Sequence, residues 1–276
     1  MSLNLMYITN NPDVARIAEA AGVDRIFVDM EYIGKDLRQH GMDTVQLRHT
    51  LDDLAVIRKT VTRSKVLVRC NPIHEATDAY PGSAAEIDGI VAGRADIIML
   101  PYFKTVEEVR IFLDLVAGRA RTCLLVETPE AVEHIHEILD LPGIDEVFIG
   151  LNDLSLGYGR KFMFEVLADG TVEKLCNIFE EKGIPYGFGG IASLGRGMLP
   201  AEYIIKEHYR LGSTSVILSR SFCNTNKVTD MRVLQYIFTD GVSQIRRLEL
   251  DCAEGLVDYP QNQQELCAIV NQIVGK

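Results

Sequence analysis

The chain has 276 residues, 47% of them hydrophobic, and sets 28 basic side chains against 39 acidic ones for a formal charge of −11. That length suits one large core, and the acidic balance argues against nucleic acid as a partner, which calls for a basic stripe. Cys70, Cys123, Cys176, Cys223, Cys252 and Cys267 show no CxxC spacing, and no basic-then-apolar leader or membrane-length run is present. The expectation is a cytoplasmic protein with reduced thiols, without disulfides, a zinc site or a membrane partner.

Residues 5–9 read as the first strand, and Asn11-Pro12-Asp13 as a helix start. Val14, Ile17, Ala18 and Ala21 then recur at helical spacing until Gly22 stops the helix. Residues 26–28 are the second strand and 47–61 the second helix. Residues 66–68 are the third strand, followed by a shorter helix around 85–91. The fourth strand is 97–100, and the helix after it shows Val106, Val109, Leu113 and Val116 on one face. The fifth strand ends at Val126, Pro129 opens a helix, and 147–150 is the sixth strand. Residues 185–188 and 215–218 are the seventh and eighth, while Ala201, Ile205 and Tyr209 read as core or interface.

Eight strands alternating with helices predict a single-domain (β/α)8 TIM barrel over 1–276 rather than an open doubly wound sheet. The strands run in Val, Ile and Leu without alternation, as a sheet buried on both faces requires. No GxGxxG follows the first strand, which weakens the dinucleotide-binding alternative. Residues 233–276 exceed one helix and read as a C-terminal helical extension, capping the barrel or packing on a neighbouring subunit.

In a closed barrel, the residues just after each apolar run gather at one mouth, where barrels carry their chemistry. These are Asp29 and Glu31, Arg69, Glu127, the 150–153 segment, the 187–190 segment, Ser219 and Arg220. Glu127 and Asp153 are separated by one helix and one strand, which puts them on neighbouring strand ends. Two such acids suit a hard divalent cation with positions left for substrate. Arg69 in the same crevice can hold a carboxylate in paired hydrogen bonds. Each of these residues also reads, singly, as a loop cap or a salt-bridge partner. The glycine-rich stretch 187–197, with Arg196 and Arg220, reads equally as a phosphate or carboxylate clasp and as a flexible loop.

The run Leu124-Leu-Val-Glu-Thr-Pro-Glu-Ala-Val132, then Leu141-Pro-Gly-Ile-Asp145 and Phe148-Ile-Gly-Leu-Asn-Asp-Leu-Ser155, resembles the signature of the HpcH/HpaI aldolase and citrate lyase β family. Ala20-Ala-Gly-Val-Asp24, Val28-Asp-Met-Glu31, Val68-Arg-Cys-Asn-Pro72 and Ile98-Met-Leu-Pro101 follow the family's order. The resemblance implies a metal-dependent barrel that makes or breaks a carbon–carbon bond beside a pyruvate or acyl-CoA enolate. It implies Glu127 and Asp153 as ligands of Mg2+ or Mn2+, and Arg69 as the contact to the oxo acid. It also implies the backbone of Gly150, Leu151 and Asn152 as the seat of the substrate carboxylate, and a homo-oligomer assembled through the C-terminal helices.

A divalent ion and a guanidinium beside the same oxygen suit the negative charge that aldol cleavage leaves on pyruvate. No Schiff-base lysine is needed, and neither Lys65 nor Lys104 stands where one is expected. The chain departs from the family after the second strand. The aldolases read Asp-x-Glu-His there, and this chain reads Asp29-Met30-Glu31-Tyr32. A tyrosine titrates near ~10 and is a poor base at neutral pH. Proton transfer therefore falls to Tyr32, Glu31 or Asp29, or to a residue from elsewhere. His40 and His74 are candidates, each more simply read as a loop histidine. The expected reaction is cleavage of a 4-hydroxy-2-oxo acid to pyruvate and an aldehyde. The alternatives are an acyl-CoA lyase and a binding barrel without turnover.

Overall fold

A computed structural model describes residues 2–35 and 48–275. Eight parallel strands close into a barrel in chain order: β1 (Asn4–Ile8), β2 (Arg25–Asp29), β3 (Lys65–Arg69), β4 (Ile97–Leu100), β5 (Arg121–Val126), β6 (Glu146–Ile149), β7 (Tyr186–Ile191) and β8 (Ser215–Leu218). Successive side chains of a strand face opposite ways. One set, Met6, Phe27, Leu67, Ile97, Met99, Cys123, Leu125 and Phe148, fills the barrel. The other, including Ile26, Val28, Val66, Val68, Leu124 and Val126, packs under the helices.

The same alternation sorts the polar residues. Two positions beyond Phe27 and Leu67 stand Asp29 and Arg69, paired across β2 and β3 at the upper mouth. Two positions before Phe27 and Phe148 stand Arg25 and Glu146. They meet as a buried two-bond ion pair, at 2.5 and 2.9 Å, on the floor. In barrels the upper face carries function and the floor carries stability.

The first helix, Pro12–Ala21, is capped by the Asn11 side chain and ends at Gly22, whose φ is 96°. The second starts later than the sequence suggests, at Leu51–Thr60, because Thr50 and Asp53 form a reciprocal capping box that fixes its first turn. The part of that expectation on Leu47 lies outside the described residues, as does His40. The helix after β5 is two short pieces, Pro129–Glu133 and Ile135–Leu139.

Gly187 to Gly190 lie inside β7 rather than after it, with a register shift against β8. Gly189 has φ +56° and faces Leu151, where a side chain would clash, so these glycines shape a bulge in a packed strand. The C-terminal stretch forms two helices, Met231–Ala253 and Tyr259–Val274, packed on Pro12–Ala21 and Ala201–Arg210. Glu249 and Arg246 tie the longer one to the backbone of Leu3 at the start of the barrel. Among the described residues no helix is long and apolar enough to cross a membrane.

His208, on the helix Ala201–Arg210, is fully buried, stacks on Phe188 at 3.8 Å and shares a hydrogen bond with Ser213. Burial pushes its pKa down to about 3. The unfolded chain therefore takes up this proton first. The neutral ring costs nothing above the unfolded value of about 6.5, and stability is lost as pH falls from there towards 3, by up to ~1.4 kcal/mol per pH unit. In urea titrations, His208→Phe is expected to gain on the wild type as pH is lowered from 7 to 4.5. A stability difference that does not change with pH would contradict this.

Candidate active site

Glu127 directly follows β5 and is 4% exposed; Asp153 sits in the first turn of the helix Leu151–Gly157 and is also buried. Both line one cavity of about 190 Å³, together with Arg69, Gly150, Leu151 and Asn152, over a floor that includes Phe27 and Phe148. Glu127 Oε1 accepts the backbone N–H of Tyr102 at 3.0 Å, and Asp153 Oδ1 accepts from Asn152 Nδ2 at 3.1 Å. Gly150 is fitted against the first acid. A Cβ there would lie 2.6 Å from Glu127 Oε2 and 2.8 Å from its Cβ. Among the described residues no group of three or more His, Cys, Asp and Glu is placed to hold a metal. The donor set is thus two buried carboxylates over an open cavity. That fits a hard cation such as Mg2+, which takes one or two protein carboxylates and fills its other positions with water and substrate.

Arg69 is the best-anchored side chain of the mouth. Its Nε and Nη2 donate to the two oxygens of Asp29 at 2.9 and 2.8 Å, and Nη1 stands 3.3 Å from Glu31. Lys35 closes the cluster, 2.9 Å from Asp29 and 3.4 Å from Glu31. Burial alone would raise the Asp29 carboxyl, but the Arg69 guanidinium and the Lys35 ammonium outweigh it and hold it well below the usual carboxylate range. Asp29 and Glu31 are therefore the buried counter-charges that aim Arg69. Asp29 takes two of the five guanidinium N–H donors and Glu31 faces a third.

Arg69 also forms a wall of a second, larger cavity of about 510 Å³, lined by Asp29, Lys35, His49, Ser219, Arg220 and residues of the β1 and β8 loops. His49 Nδ1 accepts the Asp29 backbone N–H at 3.0 Å, while its Nε2 is buried and has no hydrogen-bond partner. Burial lowers the His49 pKa despite the nearby Asp29 and Asp53, so the ring is neutral with its proton on Nε2. An unpartnered buried donor of this kind costs about 1–3 kcal/mol.

Of the remaining sequence candidates, Tyr32, His74 and Arg196 fall outside these cavities, whereas Gly189 and Gly190 line the smaller one. Tyr32 lines neither; its backbone N–H donates to Asn71, and burial, with Glu86 and Tyr80 nearby, raises its phenol, the wrong direction for a base. Both ring nitrogens of His74 lie at backbone carbonyls of Pro72 and Pro81, which makes it a staple of its own loop. Arg196 is exposed and lines neither cavity, whereas Arg220 lines the larger one.

The profile of the HpcH/HpaI aldolase/citrate lyase family matches residues 4–168, from β1 through the acid-bearing strands. The chain belongs to this family. No curated protein matches it in sequence. Among solved structures, an HpcH/HpaI aldolase from Desulfitobacterium hafniense DCB-2 is similar with a TM-score of 0.61 and 18% identity, over 85% of this chain and 93% of that one. An HpcH/HpaI aldolase/citrate lyase family protein from Burkholderia cenocepacia J2315 gives 0.61 and 13%, over 85% and 95%. The citrate synthase SbnG gives 0.59 and 15%, over 84% and 92%. At such identities these likenesses establish the HpcH/HpaI barrel fold and leave the substrate to the residues of this chain.

Sequence reasoning missed Lys35 and His49. The signal for His49 was the Thr50–Asp53 capping box, which starts the helix just after it and leaves His49 in the strand-to-helix connection at the mouth. Lys35 carries no comparable mark.

Proposed function

We propose that the chain is a divalent-metal-dependent carbon–carbon lyase that cleaves a 4-hydroxy-2-oxo acid to pyruvate and an aldehyde. The observation that carries this reading is the convergence of Glu127, Asp153 and Arg69 on one small cavity. Membership of a family of aldolases and lyases supports it. Glu127 and Asp153 would hold the ion, Mg2+ or Mn2+, which when bound supplies Lewis acidity toward the oxygens of the 2-oxo acid. Arg69 would hold the 2-oxo oxygen and stabilise its developing negative charge, at no reorganisation cost because Asp29 and Glu31 already fix the guanidinium. The Gly150–Asn152 backbone, which has no side-chain cap at its helix start, would receive the substrate carboxylate. Exposed Tyr236, Leu250 and Leu256 in the C-terminal segment support assembly into a homo-oligomer, which light scattering would read as a multiple of the chain mass.

The test is solvent deuterium exchange into the pyruvate methyl group, followed by NMR on chelator-stripped protein with Mg2+, Mn2+ or no metal. Exchange that depends on added metal is expected. Folded, metal-bound protein without exchange would remove pyruvate from the reading and turn attention to acyl-CoA cleavage or binding without turnover.

A further inference from the structure

The cavity that Glu127 and Asp153 line is small. At about 190 Å³ it falls well below the ~300–1,000 Å³ of sites that take drug-sized ligands, so beside an ion it holds only a short acid. Its charged and polar walls, Arg69, Glu127, Asp153 and Asn152, are where the ion, the carboxylate and the 2-oxo oxygen belong. Most of the apolar lining is fixed by the barrel itself: Phe27, Met99, Leu125, Phe148 and Ile217 pack on one another from strand to strand. Among the described residues, Met163 is the one apolar side chain of the lining that neither a strand nor a helix carries. It is half-buried on the turn between the helices Leu151–Gly157 and Glu165–Ala168. That turn is braced without help from the Met163 side chain. Ser155 Oγ donates to the Met163 carbonyl at 3.0 Å, and the Glu165 carboxylate accepts the N–H groups of Lys161 and Phe162 at 2.7 and 2.8 Å. Phe162 and Phe164 meet edge to face at 5.4 Å on either side of it.

We propose that Met163 is a specificity-determining residue that admits pyruvate and turns away 2-oxo acids carrying a longer chain at C3, an inference that rests on the lyase reading. The carbon of pyruvate that becomes nucleophilic is its methyl carbon. With the carboxylate and the 2-oxo oxygen on the charged walls, this carbon lies against the apolar part of the lining. It cannot face the packed barrel interior, because the second reactant has to reach it. That leaves the side of the cavity formed by Met163. A side chain on a braced turn is a wall of fixed position, and its length sets the room beside the methyl carbon. A hydrophobic pocket discriminates one extra methylene roughly ten- to two-hundredfold. Here that methylene must displace the thioether arm or push the acid off the charged walls. Met163→Ala removes the whole arm, which exceeds the one methylene by which 2-oxobutyrate differs from pyruvate. Met163→Leu conserves volume and keeps the wall.

The experiment follows metal-dependent deuterium exchange at C3 of pyruvate and of 2-oxobutyrate by NMR in the wild type, Met163→Ala and Met163→Leu. Calorimetry measures in parallel the affinity of each protein for Mn2+ and of each Mn2+-loaded protein for the two acids. The wild type is expected to favour pyruvate by roughly ten- to two-hundredfold. Met163→Ala should reduce that preference by at least ~10-fold, in exchange and in affinity, and Met163→Leu should retain it. Mn2+ affinity should stay at the wild-type level in both variants, since neither proposed ligand is altered. An unchanged preference in Met163→Ala overturns the proposal, as does a wild type that exchanges both acids alike, and the lyase reading survives each. Loss of Mn2+ affinity in Met163→Ala would make the residue a support for the carboxylates and overturn its role in selection. A wild type that exchanges neither acid overturns the lyase reading and this inference with it.

Discussion

Gly150→Ala is expected to reduce metal-dependent pyruvate exchange roughly a thousandfold while the barrel stays folded. The backbone at Gly150, φ −83° and ψ 89°, lies at negative φ, so the cost is one of space. The new methyl would sit 2.6 Å from Glu127 Oε2, 2.8 Å from Glu127 Cβ and 3.3 Å from a Leu125 methyl. Turning the carboxylate away relieves only the first contact. The second involves the root of the side chain, so β5 and the helix Leu151–Gly157 must move apart, and both proposed ligands move with them. A misplacement of about 1 Å already costs on the order of a hundredfold, and losing the hold on the ion removes the several kcal/mol a Lewis acid contributes. The variant should behave like Glu127→Ala although it removes no ligand atom. Mn2+ titration by calorimetry, methyl exchange by NMR and thermal unfolding by circular dichroism separate the cases. Wild-type Mn2+ affinity and exchange in Gly150→Ala would show that Glu127 does not need this close contact.

Much of the fold could be read from the chain because local signals and the global topology agree. Strand runs, the Asn11 cap and Pro129 each sit where the barrel needs them. Glu127 and Asp153 were legible as neighbours because one crossover separates their strands and the register of a parallel barrel does the rest. The harder parts have physical reasons. Gly187 to Gly190 look like a loop because glycine carries no strand signal, yet a bulge against Leu151 leaves no room for side chains. Arg69 was visible as a residue of the barrel mouth, but its clamp by Asp29, Glu31 and Lys35 was not, because it depends on a cross-strand register and on a lysine that returns from the connection after β2. His49 looked like part of a helix because the apolar pattern around it runs on, and only the capping box marks the true start.

On the barrel floor, Glu146→Ala is expected to destabilise the protein by about 3–5 kcal/mol. Arg25 and Glu146 belong to strands on opposite sides of the barrel, 121 residues apart in sequence, and their side chains are only 9% and 8% exposed. The two-bond contact satisfies both charges in a place that water reaches poorly. Removing the carboxylate leaves a buried guanidinium without its counter-charge, and Arg121, which approaches Glu146 to 3.9 Å, is itself a cation. That loss is a large share of the roughly 5–15 kcal/mol that holds a folded domain. The pair as a whole need not be worth so much, because each ion also lost its hydration on burial. Replacing both, Arg25→Met with Glu146→Leu, should therefore recover most of the loss, and the non-additivity in urea denaturation measures the coupling. Pyruvate exchange per folded molecule should stay at the wild-type level in both variants, since the floor lies at the opposite end of the strands from Glu127 and Asp153. If Glu146→Ala were as stable as the double variant, the pair would be a surface-like contact of little consequence, and the floor would be held by the apolar interior alone.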